Sequence, residues 1–147
     1  IKPKNGNIVN SKGEVLGIHS GLYNYTIGQR KGLGISYKVP LFVIGFNPSK
    51  NEVIVGEERE LFTKQAYVKD INLLLFDKIE EELEVDVKTR YSSKMAKATI
   101  IQEDDIIKIN FKEPQKAVTP GQSAVFYIDD IVVGGGKIYW NNKDYMI

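Results

Sequence analysis

Hydrophobic and polar residues alternate most cleanly over residues 83–90, where Val85, Val87 and Thr89 fall on one side and Asp86, Lys88 and Arg90 on the other. A period of two belongs to a strand with one dry face and one wet face. Shorter runs repeat the theme along the chain. Ile8 and Val9 start a strand, Asn10-Ser11-Lys12-Gly13 turns it, and residues 14–18 return as the second arm of a hairpin. Residues 41–46 (LFVIGF) read as a buried strand, and the turn at 47–51 sends the chain back through 52–55. Residues 56–60 are a charged turn, and 61–65 read as a short helix or connector. An apolar strand at 67–75 and an acidic loop at 77–82 follow. After the alternating segment come a hairpin (96–102 with 106–111), a turn at 118–121, a strand at 122–127, and a last strand at 131–139. No stretch has the length and 3.6-residue period of a long helix. Short strands at this spacing predict an all-β protein of the barrel or sandwich kind. The natural cut lies between about Leu61 and Gln65, giving two small units, residues 1–64 and 65–147.

Composition narrows the chemistry. The chain has 147 residues, 42% hydrophobic and 27% charged, which fits a soluble globular protein. Divided in two, each unit would be marginal alone. No apolar run is long enough to span a bilayer and no signal segment opens the chain, so a cytoplasmic protein without a membrane partner is expected. With no cysteine, disulfides, thiolate nucleophiles and zinc–sulfur sites are excluded. The single histidine, His19, cannot make a multi-histidine metal site. A net charge of +1 means that any affinity for nucleic acid must come from a local basic patch. The chain starts at Ile1 and reads as an excised piece, with missing chemistry expected upstream.

Several motifs carry candidate chemistry. In YTIGQRKGLG, residues 25–34, three glycines surround a Gln-Arg-Lys triplet. A phosphate loop of the G-x-x-x-x-G-K-S/T kind needs a helix after it, so that N–H groups meet the phosphate. Here the glycines are misplaced, no Ser or Thr follows Lys31, and no helix follows. Two readings stay open: a solvated turn, or a grip on RNA backbone in which Arg30 and Lys31 meet phosphate and Tyr25 stacks or packs. In KTRYSSK, residues 88–94, three cations and a tyrosine leave a strand end together. Arg30, Lys31, Arg90, Lys94 and Lys97 would form one salt-sensitive patch if the two units face each other. The wet face of a strand is the simpler account. In TPGQSAVFY, residues 119–127, Pro120-Gly121 reads as a type II turn. It leaves Gln122 at a strand entrance, either as an exposed amide that reads a base edge or phosphate, or as an ordinary polar strand end. Gly134-Gly135-Gly136 reads as a bulge or close backbone approach that closes a barrel, in preference to a ligand loop. His19 reads as packed rather than catalytic. The clusters Glu57-Glu58-Glu60 and Glu80-Glu81-Glu82 lack calcium-loop spacing and read as solvated turns.

Taken together, GNIVNSKGEVLGIHSGLYNYTIGQRKGLGI, VDVKTRYSS, FKEPQKAVTPGQSAVFY and VVGGGKI resemble the C-terminal portion of the bacterial tRNA-specific 2-thiouridylase family. Order and spacing match across nearly the whole chain, and YTIGQRKGLGI is the most specific piece. The resemblance implies a small central β unit followed by a closed or partly closed antiparallel β-barrel similar to translation-factor barrels. It implies a parent enzyme with an N-terminal ATP-pyrophosphatase domain, an SGGxDS-type loop, bound ATP with magnesium, and two cysteines that carry and resolve sulfur. That enzyme adenylates the wobble uridine of certain tRNAs at O2 and replaces the oxygen with persulfide sulfur. By the same resemblance Arg90, Tyr91 and Gln122 contact tRNA, and Gln29, Arg30 and Lys31 face either tRNA or the catalytic domain.

The departure is equally clear. With no SGGxDS loop and no cysteine, this portion alone is expected to be inert and to bind no cofactor or metal itself. Its expected partners are tRNA and the parent's catalytic domain. The alternative is a docking module that braces that domain, or receives a sulfur-relay protein, without touching tRNA. It predicts an exposed apolar patch around Leu22, Tyr23 and Tyr25. A free-standing enzyme would need a pocket of perturbed titrating groups, for which the sequence offers no plausible set.

Overall fold

A computed structural model describes residues 4–89 and 94–139. They form an all-β protein of two compact units, one ending at Phe62 and the other starting at Thr63.

The first unit is a four-stranded sheet of β1 (Gly6–Asn10), β2 (Val15–His19), β3 (Phe42–Asn47) and β4 (Glu52–Gly56), in the order β2-β1-β4-β3. The predicted hairpin between β1 and β2 forms because Asn10 Oδ1 accepts bonds from Lys12 N (3.0 Å) and Glu14 N (2.9 Å), while Gly13 takes a positive φ of 86°. β1 also pairs with β4 in parallel, Ile8 opposite Val53 and Asn10 opposite Val55. Ile8, Val43, Val53 and Val55 are fully buried. Burying each contributes on the order of 1.5–3 kcal/mol. Ile27, Leu33 and Leu41, from the long segment between β2 and β3, are buried as well.

Near the end of this unit the structure departs from the expected helix or connector at 61–65. A 3₁₀ turn runs earlier, over Glu58–Leu61, and Phe62 already begins a strand. The Glu60 carboxylate turns back to accept Glu57 N at 2.7 Å and Ser11 Oγ at 3.0 Å, which closes the turn at Leu61.

The second unit is a closed six-stranded barrel. Its strands are β5 (Phe62–Leu73), β6 (Leu83–Lys88), β7 (Ala96–Glu103), β8 (Ile106–Lys116), β9 (Ser123–Ile128) and β10 (Ile131–Tyr139), ordered β10-β5-β8-β7-β6-β9. The alternating positions Val85 and Val87 point inward and meet Val68, Ile100, Ile107, Ile109, Phe126 and Ile138 in one core. Two-residue turns at Asp104-Asp105 and Asp129-Asp130 join the hairpins, with Asp104 and Asp129 at φ 56° and 53°. The glycine triplet sits where β10 is bonded to both β9 and β5, with a register shift on each side. A Cβ on Gly135 would strike the Ala124 carbonyl, and one on Gly136 the Lys69 carbonyl. The triplet is therefore the close approach that closes the barrel.

Candidate nucleic-acid interface

The GQRKG loop is organised by its own glutamine. Gln29 N donates to Thr26 O at 3.0 Å, Thr26 N donates to Gln29 Oε1 at 3.0 Å, and Gln29 Nε2 donates to Lys31 O at 2.9 Å. The main chain is also clamped to β3: Gly28 N donates to Val43 O at 2.8 Å, and Val43 N to Gln29 O at 2.9 Å. Gly28 and Gly32 hold φ of 91° and 78°, the left-handed region that a side chain disfavours. Both ends of the Gln29 amide are thus engaged within the loop. Arg30 and Lys31 are exposed, and among the described residues neither makes an ion pair or a side-chain hydrogen bond. Tyr25 packs instead of projecting, its ring set edge-on to His19 at 5.9 Å and 76°.

His19 is itself a structural residue. It is 1% exposed; its Nδ1 accepts Gly21 N at 3.0 Å, so its Nε2 carries the proton and donates to Asn51 O at 2.7 Å. Asn51, at φ 55°, donates in turn to Asn5 O at 2.9 Å and to Lys4 O at 3.3 Å. Of the three residues around which an apolar patch was expected, Tyr23 is 67% exposed, while Leu22 and Tyr25 are half-buried.

Beyond the triplet, residues 30–40 form neither strand nor helix. Lys31 and Gly32 form a turn, and outside it, among the described residues, the backbone N–H groups of residues 30–39 make no close hydrogen bond. The segment is held by its apolar anchors. Leu33 and Leu41 are buried, and Ile35 lies so close to β2 that a Cβ on Gly17 would meet its Cγ2 at 2.5 Å. The segment borders an open groove of about 410 Å³ lined by Arg30, Tyr37, Lys38 and Pro40 among others, with no carboxylate in the lining. Tyr37 and Lys38 were not singled out from sequence. The available signal was an aromatic and a cation side by side, in a stretch without either strand or helix period.

The barrel candidates divide. Arg90 and Tyr91 lie outside the described residues. Gln122 follows the expected turn: Gly121 is at φ 88°, and Gln122 N donates to Thr119 O at 3.3 Å. Gly121 N to Ile138 O and Ile138 N to Gln122 O, both 2.8 Å, hold this turn against β10. The side chain differs from the exposed amide of one sequence reading. Gln122 is half-buried, and its Oε1 is buried without a hydrogen-bond partner among the described residues. Of the proposed patch, Arg30 and Lys31 belong to the first unit, and Lys94 and Lys97 to the barrel. Lys97 also faces Asp86 at 3.6 Å.

Another face of the barrel has the opposite sign. Asp70, Asp77, Asp104 and Asp105 line a cleft of about 710 Å³ together with Tyr139. Burial, then the neighbouring Tyr67 and Asp105, raise the Tyr139 hydroxyl above its ordinary value. Lys69 sits 5.8 Å from the centre of the Tyr139 ring. Such a cleft repels phosphate.

Two family models cover the chain. Residues 1–57 match the tRNA methyl transferase PRC-barrel domain, and residues 63–138 match the aminomethyltransferase beta-barrel domain. A tRNA-specific 2-thiouridylase MnmA from Clostridium botulinum (strain Alaska E43 / Type E3) is 52% identical over 136 residues, which are 92% of this chain and 38% of the relative. A tRNA-specific 2-thiouridylase MnmA 2 from Clostridium botulinum (strain Hall / ATCC 3502 / NCTC 13319 / Type A) is 49% identical over 138 residues, 93% of this chain and 39% of the relative. The chain thus spans well under half the length of these relatives.

Proposed function

The chain belongs to the tRNA-specific 2-thiouridylase family, and from that premise we propose that it is the portion that holds tRNA while a preceding domain performs the chemistry. The observation that supports tRNA contact is the GQRKG loop. Gln29 fixes the backbone by internal bonds, so Arg30 and Lys31 are presented from a set frame with their charged ends in solvent. Phosphate contacts of this kind orient a nucleic acid without reading its sequence. Arg90, Tyr91 and Gln122 are the second set of tRNA contacts in this reading.

For the whole protein we propose the activity that the resemblance implies, ATP-dependent replacement of the wobble-uridine O2 by sulfur. In this reading ATP with magnesium belongs to the preceding domain, because this chain has no SGGxDS-type loop. The chain also lacks a cysteine to carry sulfur. The chain alone is therefore proposed to be inactive.

A salt titration of tRNA binding tests the reading. Affinity is expected to fall linearly in log–log form, with a slope of roughly −0.7 to −0.9 per phosphate neutralised. Affinity independent of salt would exclude a phosphate grip.

A second reading has its own observation. β2 is an edge strand, and it exposes Val15 (59%) and Ile18 (71%). An apolar edge suits docking of the catalytic domain or a relay protein. Paired Val15→Lys and Ile18→Lys changes that abolish thiolation but leave tRNA affinity intact would favour it.

A further inference from the structure

We infer that the groove framed by residues 30–40 is a nucleotide site for RNA, with Arg30, Lys38 and the free backbone N–H groups taking a phosphate and Tyr37 stacking on a base. The inference deepens the tRNA-binding reading and rests on it. Four observations converge on this place. Two cations, Arg30 and Lys38, line the groove with no carboxylate beside them. Outside the turn at Lys31-Gly32, the backbone N–H groups of residues 30–39 have no close acceptor among the described residues, and backbone N–H groups are common phosphate ligands in nucleic-acid complexes. Tyr37 lies at the same groove and is 45% exposed, which leaves ring surface free for a base. The volume of about 410 Å³ lies within the range of small-ligand pockets.

The segment is also held in place. Leu33 and Leu41 are buried at its middle and end, and Gly28–Val43 and Val43–Gln29 bonds clamp its start. The donors are therefore positioned before the ligand arrives, which lowers the ordering cost of binding. An acidic peptide would satisfy the cations but would leave the Tyr37 ring without a stacking partner.

The test is fluorescence anisotropy with a labelled, unmodified tRNA transcript and the full 147-residue chain. An Arg30→Ala/Lys38→Ala double variant is expected to weaken binding about tenfold or more at low salt and to reduce the salt slope by about one, for the one phosphate the pair holds. Tyr37→Ala is expected to lose about fivefold or more while Tyr37→Phe keeps wild-type affinity, because stacking needs the ring and not the hydroxyl. Lys12→Ala, an exposed cation on the β1–β2 turn of the same unit, serves as the charge control. Thermal unfolding of each variant at the wild-type temperature establishes that the fold is intact.

Unchanged affinity in the double variant, or an equal loss in Lys12→Ala, would overturn the site and leave tRNA binding standing. Displacement of tRNA by polyglutamate as readily as by polyuridylate would assign the groove to acidic peptide and also overturn it. Absence of tRNA binding by the wild-type chain at any salt would sink the tRNA-binding reading itself.

Discussion

Every strand of the barrel has a neighbour on both sides, so the N–H and C=O groups of β5 to β10 are largely turned onto one another. In the first unit the stretch at residues 30–39, outside the turn at Lys31-Gly32, makes no close backbone N–H bond among the described residues, although apolar anchors pack it in place. The same chain thus treats its backbone in two ways. In a closed barrel, side chains on turns and strand ends are what remains for contact with a partner, the role proposed for Gln122 beside Gly121. In the loop unit the backbone itself is available as a ligand, and glycines at 28 and 32 set its path. Glycine differs in meaning between them. In β10 it makes room for neighbouring carbonyls, whereas at Gly34 a Cβ would meet nothing within 4 Å and only the φ of 67° matters.

Substitutions can break or sharpen this contrast. The largest effect is expected from Phe126→Ala, which empties the centre of the barrel core. It should destabilise the protein by about 3–5 kcal/mol in chemical denaturation. His19→Ala is the nearest counterpart in the first unit. It leaves Gly21 N and Asn51 O without their buried partner and should cost about 2 kcal/mol. The two glycine classes separate next. Gly135→Ala forces β10 away from the Ala124 carbonyl and should cost about 1–3 kcal/mol, while Gly34→Ala should cost about 1 kcal/mol through backbone conformation alone. If Gly34→Ala proved the more disruptive, the division between packing and loop glycines would be wrong. Gln29→Leu should cost about 1 kcal/mol of stability and weaken tRNA binding despite removing no charge, because the frame for Arg30 and Lys31 is lost.

The smallest effect is a pH dependence on the acidic face. Tyr139 is raised above 10.0 by burial and by Tyr67 and Asp105, so the fold favours its neutral form. The stability this contributes is fully present below pH 10.0 and is lost as pH rises through the raised value. Tyr139→Phe should flatten that decline, as read by denaturation midpoints on either side of pH 10.0.

The barrel strands were largely legible because a closed sheet with a dry interior imposes a period of two, as Val85 and Val87 show against Asp86 and Lys88. The turn at Pro120-Gly121 was legible because only glycine readily takes the second position of a type II turn. Other features depend on partners remote in sequence. The parallel pairing of β1 with β4 has no local pattern. β5 starts at Phe62, ahead of its apolar stretch, and β8 continues through the exposed Pro114 beyond Phe111, its last residue paired with β7. The role of Gln29 was hidden because an amide that closes a turn and an amide that reads a base are the same residue type. Tyr37 and Lys38 were missed because a loop held by two buried leucines has no period to announce it.

Backbone amide hydrogen exchange, followed residue by residue with and without tRNA, tests the central claim most directly. In the free chain, residues 30–39 should exchange fast while the barrel ladder from β5 to β10 exchanges slowly. With saturating tRNA, protection should rise within residues 30–39 and leave the ladder unchanged. Amides in that segment that are already protected in the free chain, or that stay unprotected with tRNA bound, would contradict the account.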